Sequence, residues 1–541
     1  MGPFEGIRGP DPGNPAQTIE SRHSIEPDVL SGAPAFELSS IEIRGVLPGL
    51  RRYDLNHEFP DVLNYEDFEL RPDLLEGMMA SRGRFDLGGL RPVKIGKIRT
   101  FPYPKFSHVP GEAAVREMAD IGIVERVVLR GVAARIGAEL DATLSPRMFA
   151  YRLVEFGPQW KLRHYGESHT AFRDGQIDSL VDNWWPYTLF TDIASFYPSV
   201  DLEILERELR YRCPSPNAAV AITALLGMLR QWHDRDQLAG LPIGEEAAGI
   251  FANAILAPLH EVLHRVAADH YGYSDDLVLF GSSVKSGRHA REAYDDRLAE
   301  LGLTSHPIKT HEVENPLDAA REIQNFAISY IEDSAGWMDD LLQERVRERW
   351  YERTGDAIDE PYKVTEVKYL LTKMRAIGDR HAVQGLLKRW DVMELLPKET
   401  TKYLGDVALN DPDVVDAMLR AAGHPVTPTN EGLVLHALKF LGRAPRDDRL
   451  LGVCNGVLAS KKAAEPTKAW AAYAMRRAPS WSWMQTIERA ESGQKYLVGR
   501  AMLASTRGIT ELPVARRRIL ESIARDRVDM AATCEWALRA A

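Results

Sequence analysis

Cysteine is scarce in this chain: Cys213, Cys454 and Cys534 are the only three among 541 residues. They stand far apart and are odd in number, so neither a disulfide framework nor a clustered zinc site is indicated, and the three read as small core residues. Long apolar runs are missing too. No uninterrupted stretch reaches the roughly 18 residues needed to span a bilayer, and the opening MGPFEGIRGPDPGNPAQ lacks the apolar centre of a signal peptide. No membrane partner is expected, and the cytoplasm is the default compartment. A surplus of positive charge is also absent, because 67 Lys and Arg against 78 Asp and Glu leave a net charge of −11. That balance argues against a surface that coats long nucleic acid. Basic charge is instead local. RPVKIGKIRTFPYPK carries Arg91, Lys94, Lys97, Arg99 and Lys105 with no acid.

What is present is an ordinary globular balance, 45% apolar and 27% charged, over a length that implies three or four domains. The first thirty-odd residues are rich in Pro and Gly and read as a flexible or peripheral arm, part of an extension over residues 1–90. From 91 to 180 short strands alternate with helices, and in ADIGIVERVVLRG the residues Ile123, Val127 and Leu129 begin an apolar helical face. YTLFTDI reads as a strand, followed by a helix whose buried face is marked by Leu202, Leu205 and Leu209. After about residue 330 the pattern turns helical. Asp411 and Pro412 suit an N-cap and first helical position, Asn430 suits the next cap, and helix starts recur every 18–20 residues or so, near the period of helical-repeat arrays.

The chemistry concentrates in three strings. LFTDIASFYPSV contains Asp192, HYGYSDDLVLFG contains Asp275 and Asp276, and GLPIGEEAAGIFAN lies between them. Carboxylates brought together from two strands can hold two hard divalent cations, because such cations take oxygen ligands and Asp is short enough to fix them to a strand end. Alternating aromatic and apolar residues around the SDD turn fit a half-buried hairpin, where adjacent carboxylates would be costly without cations or partners.

These strings, in this order, resemble the palm of the reverse transcriptases over about residues 91–330. The resemblance implies an α+β fold of right-hand polymerase type, with fingers at 91–180, a palm at 181–330 and a thumb-like helical segment at 331–400, followed by an all-α helical-repeat domain at 401–541. It carries over Asp192, Asp275 and Asp276 as catalytic metal ligands, joined by Ile193. Mg2+ is the implied cofactor, with Mn2+ as an alternative. Ile193, Ala194, Ser195, Phe196 and Tyr197 fall in the nucleotide site, with Tyr197 where the family places the bulky side chain that excludes a 2′-hydroxyl. Pro242, Ile243 and Gly244 fall in the second palm motif. That motif departs from the commonest form, since Ile243 stands where many members have Gln and Ala248 where many have Ser. Lys309 in LTSHPIKT matches a lysine near the leaving pyrophosphate, Lys105 and Arg116 match the fingers pair that clamps the triphosphate, and FAISY (residues 326–330) matches the primer-contacting hairpin.

No ribonuclease H, maturase endonuclease or protease pattern accompanies the palm. A helical C-terminal region in that place is similar to the bacterial defence-associated, abortive-infection group of reverse transcriptases. The implied function is two-metal DNA synthesis from dNTPs in antiphage defence. Net acidity and the apolar second motif favour protein-primed, template-independent synthesis. Two alternatives stay open: a reverse transcriptase copying a bound noncoding RNA, and an inactive palm serving as a scaffold. Homo-oligomer formation stays open too, as does the partner of the C-terminal arginines Arg516, Arg517, Arg518, Arg525 and Arg527.

Overall fold

A computed structural model of the chain describes residues 38–39, 42, 44–46, 98–105, 114–324, 339–354, 361–491, 496–506, 513–526, 534 and 537–538. At its centre is a four-stranded antiparallel sheet in the order β6-β7-β5-β8, built from β5 (Tyr187–Asp192), β6 (Asp269–Tyr273), β7 (Asp276–Gly281) and β8 (His311–Val313). Successive side chains on a strand alternate between faces, so the near-continuous apolar runs of β5 and β7 require both faces to be covered. They are. Tyr187, Leu189, Leu277 and Leu279 face α6 (Glu246–Val266) and α7 (Val284–Glu300) in the main core. Phe190, Tyr271, Val278 and Phe280 face the opposite layer, where Phe172 and Leu180 of α2 (Tyr165–Asn183) meet Ala319 of α8 (Pro316–Gln324).

A hairpin of β1 (Arg99–Lys105) and β2 (Ala114–Asp120) precedes this unit, followed by the long α1 (Ile123–Thr143) and the small hairpin β3 (Leu153–Glu155) and β4 (Lys161–Leu162). The expected strand over YTLFTDI is β5, and after a single turn, α3 (Phe196–Ser199), the expected helix is α4 (Leu202–Arg212). Asp201 starts α4 by accepting from the amides of Glu203 and Ile204. Leu205 and Leu209 are fully buried. Helix α5 (Pro216–Asp236) then packs on α1.

Beyond residue 338 every element among the described residues is a helix: α9 (Asp339–Thr354), α10 (Pro361–Ala376), α11 (Val383–Lys388), α12 (Trp390–Leu395), α13 (Pro397–Val407), α14 (Pro412–Gly423), α15 (Glu431–Leu441), α16 (Arg449–Ala459), α17 (Glu465–Ala474), α18 (Trp483–Glu491), α19 (Tyr496–Ser505) and α20 (Pro513–Asp526). Asp411 caps α14 as its sequence suggests, accepting from the Asp413 amide at 3.1 Å. Asn430 does not cap α15. Its side chain turns back, Oδ1 accepting from the Thr427 amide at 2.8 Å and Nδ2 donating to the Pro425 carbonyl. All three cysteines are buried and unbridged, as small core residues should be.

Two large cores organise the helices. One joins residues from Val346 to Ala478 and runs through residue 400 without a break. The other is the main core of the sheet and α1, and it takes in Leu435, Tyr473, Trp483, Val498, Met502 and Leu520 from the C-terminal helices. Strand β1 lies directly against α15 and α17. Apolar area hidden in this way contributes about 25 cal/mol per Å², and removing one partner returns it to water. A chain cut at residue 400 should therefore aggregate or fail to fold, rather than leave a soluble sheet domain. Expression of 1–400 followed by light scattering checks this.

Two buried histidines in the central unit generate a pH effect. His260 on α6 and His270 on β6 lie with ring centroids 5.1 Å apart, both 2% exposed. Burial, with His270 adding its charge, pushes His260 well below 6.5. Burial also brings His270 down to about 4, against the opposing charge of Asp269 and with Arg147 and His264 reinforcing the fall. Both rings are neutral when folded and titrate near 6.5 when unfolded, so the unfolded chain binds more protons below pH 6.5. Stability present above pH 6.5 should fall steadily towards pH 4, by up to about 1.4 kcal/mol per pH unit for each ring. Urea midpoints between pH 7.5 and 5 should drop more steeply for the native chain than for His260→Leu.

Candidate active site

Asp192 ends β5 and pairs in register with Asp276, the first residue of β7. Between β6 and β7 the chain turns through only Ser274 and Asp275, with Ser274 at φ 57°, the left-handed setting that tight hairpins favour. The Ile193 amide donates to the Asp275 carbonyl at 3.2 Å, tying the turn to the end of β5. Three carboxylates thus meet at one end of the sheet. Asp192 is 4% exposed, whereas Asp276 reaches the surface, near enough to the Tyr165 and Tyr273 hydroxyls for its charge to act on both. Burial first, and then the charges of Asp275 and Asp192, push Asp276 up to about 7. Burial and Asp192 also raise Asp275.

Lys309 answers part of this negative charge. Its ammonium donates to Asp192 Oδ2 at 2.5 Å. The segment carrying it is sewn to β5 by the Ala194 amide donating to Thr304 and the His306 amide donating to Asp192, at 2.9 and 2.7 Å. Among the described residues no group of three or more His, Cys, Asp or Glu is spaced as a finished metal cage, and Lys309 stands at Asp192 where a cation would compete. The donor set nevertheless fits a hard divalent cation, being all oxygen, short of counter-charge and close enough for Asp192 and Asp276 to share a hydrogen bond.

Tyr197 stands on the short helix α3, its hydroxyl hydrogen-bonded with those of Tyr151 and Ser274 and close to Asp275, and burial raises it well above 10. The Leu241 amide donates to the Tyr197 carbonyl at 2.9 Å. Gly240, at φ +58°, makes that approach possible, since a Cβ there would lie 2.1 Å from the same carbonyl oxygen. Farther along the same loop the Ile243 carbonyl accepts from the Ala119 amide of β2 at 3.0 Å. Pro242, Ile243 and Gly244 therefore bridge the β1–β2 hairpin and the α3 turn. Ile193 and Phe196 are both 2% exposed in the core, so any contact they make with a nucleotide is through backbone. Ser195 and Ala194 lie at the turn itself, Ser195 exposed at φ 47°.

Residues 141–405 match the family reverse transcriptase (RNA-dependent DNA polymerase). The chain carries a reverse transcriptase domain. Its enzyme class is that of an RNA-directed DNA polymerase-like nucleotidyltransferase, a class that binds nucleic acid and dNTPs and generally works with divalent cations. No curated protein matches the chain. The match reaches through α12 into α13, farther than the motifs indicate, and starts after the β1–β2 hairpin, so Lys105 and Arg116 stand outside it. Their backbones lie two positions apart on the paired strands, and their side chains lie outside the described residues. FAISY (residues 326–330) also lies outside them. Of the C-terminal arginines, Arg516 is not available to a partner because it is 7% exposed and donates to the Thr506 carbonyl. Arg517 and Arg518 are exposed, while the Arg525 side chain and Arg527 lie outside the described residues.

Sequence reasoning missed an aromatic cluster beside the acidic turn. Tyr165, His169 and Phe172 of α2 gather round Tyr273 with centroid separations of 5.5–5.9 Å, and Tyr165 is 64% exposed beside Asp276. Burial, then Arg173, lowers His169 and keeps its ring neutral. The i, i+4, i+7 spacing of the three was the readable signal of one aromatic helix face. Because Asp276→Asn removes one of three mutually repelling carboxylates, it should raise Tm by a few degrees in EDTA at pH 8, and added Mg2+ should shrink the gain. A Tm that falls in EDTA would mean that the cluster is held by contacts outweighing its repulsion.

Proposed function

We propose that this reverse transcriptase builds DNA from dNTPs in bacterial antiphage defence, in the cytoplasm, priming on its own side chain and working without a template. The observation that carries the polymerase reading is the placement of Asp192, Asp275 and Asp276 on hydrogen-bonded neighbours, with Lys309 drawn to Asp192. Asp192, Asp275, Asp276 and the Ile193 carbonyl would hold the Mg2+ or Mn2+. Bound there, divalent cations would supply charge stabilisation for phosphoryl transfer. The residues of the chain do the rest. Lys309, displaced from Asp192, meets the pyrophosphate, and Lys105 and Arg116 grip the triphosphate from the fingers. Tyr197 lies beneath the sugar and refuses a 2′-hydroxyl.

The untemplated mode is supported by the acidity of the chain and by the second palm motif. Ile243 uses its carbonyl on β2, and Ala248 is buried, so neither side chain offers a polar group to a base pair. The defence role is supported by the resemblance to the abortive-infection group, whose helical C-terminal region the helices after α12 parallel. With Mg2+ and dNTPs the full-length protein should make product that survives prior ribonuclease treatment and shifts in mobility on proteolysis. Asp275→Asn and Asp276→Asn should each lower incorporation by about 10²–10³-fold or more and abolish protection in phage plating assays. Product lost after ribonuclease treatment would favour a copied RNA instead, and well-folded variants with undiminished synthesis would remove the polymerase reading.

A further inference from the structure

Tyr151 reaches the site from outside the catalytic strands, in a backbone setting that residues with a Cβ seldom adopt, φ 52°. The segment that carries it is anchored on every side. The Phe149 amide donates to the Gly272 carbonyl and the Gly272 amide to the Arg147 carbonyl, each at 2.9 Å, fastening it to β6 just ahead of the acidic turn. Asn253 of α6, buried, donates from Nδ2 to the Ala150 carbonyl at 3.1 Å and to the Tyr151 carbonyl at 3.5 Å. Arg152 holds the other flank through Asp141 and the carbonyls of Ser145 and Met148.

The ring itself lies in a slot. A Cβ at Gly249, one helical turn before Asn253 on α6, would fall 2.4 Å from two carbons of the Tyr151 ring. From that slot its hydroxyl bonds to the hydroxyl of Tyr197, and its charge is felt by Tyr273 next to the acidic turn. An unfavourable backbone geometry, an absent side chain on α6 and a buried amide all serve to put one phenol against another. Such local violations concentrate where function needs them.

We propose that Tyr151 is the positioning residue of the sugar gate: by holding the Tyr197 ring in one setting, it determines how strictly the site refuses a ribonucleotide. The proposal rests on the reading of Tyr197 as the gate and goes one step beyond it. Because the Tyr151 ring sits in its own slot against Gly249 and its hydroxyl bonds to that of Tyr197, the two functions separate by mutation.

Tyr151→Phe keeps the ring and removes the bond. In competition between dNTPs and rNTPs on the full-length protein, the ratio of kcat/KM should fall about three- to tenfold, the worth of one net hydrogen bond. The change should come from a lower KM for the ribonucleotide rather than from kcat for the deoxynucleotide. Tyr197→Phe, which also gives up the Ser274 bond, should lose at least as much, and the double variant no more than Tyr197→Phe alone, because the shared bond is already gone. Gly249→Ala, which fills the slot, should lose at least as much. Calorimetric Kd values for dATP and ATP in Ca2+ should report the same ratio without turnover. If Tyr197→Ala opens the site to ribonucleotides while Tyr151→Phe leaves the ratio unchanged, Tyr151 is packing alone and the proposal falls with the gate intact. If Tyr197→Ala leaves the ratio unchanged, the gate reading fails and takes the proposal with it.

Discussion

Like charge brought together out of water is the constraint on which this structure turns. Three carboxylates at one end of a sheet repel one another, and burial removes the solvent that would damp the repulsion. The side chains answer this only in part, through Lys309 at Asp192. Backbone does the rest: the register of β5 on β7 sets Asp192 beside Asp276, the Ile193 amide fixes the turn that carries Asp275, and the His306 amide brings Lys309 to Asp192. Charge is placed by hydrogen bonds that carry none.

The remaining parts can be understood as means of making that sheet stiff. Both faces of β5 and β7 are covered, by α6 and α7 on one side and by α2 and α8 on the other, so the strand ends cannot drift apart without opening a core. Close approach is secured where side chains are missing. Gly240 lets the loop before α6 touch the Tyr197 carbonyl, and the same loop reaches β2 through Ile243. The β1–β2 hairpin, the α3 turn and the loop before α6 are therefore one mechanical unit, joined by two amide hydrogen bonds and by Met118 of β2 lying against Gly244.

How much of this was legible depended on whether the signal was local. The strand of Asp192, the SDD hairpin, the cap at Asp411 and the three core cysteines could be read because a strand, a two-residue turn, a helix start and an apolar environment each leave a mark within a few residues. Asn430 misled because an N-cap residue and a residue that closes the preceding turn look alike, and the nearby Thr427 amide won its side chain. Arg516 misled because a run of arginines looks uniformly exposed, while helix geometry points one of them inward. Tyr151 was invisible as a site residue for a different reason. Its role needs a left-handed backbone and an empty position on a helix about a hundred residues away, and neither is written in FAYR.

The relation of the C-terminal helices to the rest follows from the same distinction. Their amphipathic spacing announces helices but not what they cover, since an apolar stripe fits any apolar partner. In the folded chain one group closes a core of its own from Val346 to Ala478, and a later group gives its apolar faces to the core beneath α1 and the sheet. Strand β1 rests on α15 and α17, so residues far apart in the chain share one boundary with water. On the proposed reading a nucleotide gripped at the β1–β2 hairpin would push on a strand backed by those helices, and Ile243 connects the same hairpin to the loop that meets Tyr197. Through that path, helices remote from the carboxylates would brace the gate proposed at Tyr197 without touching a substrate. It is a reason for this palm and its helical partner to be kept in one chain.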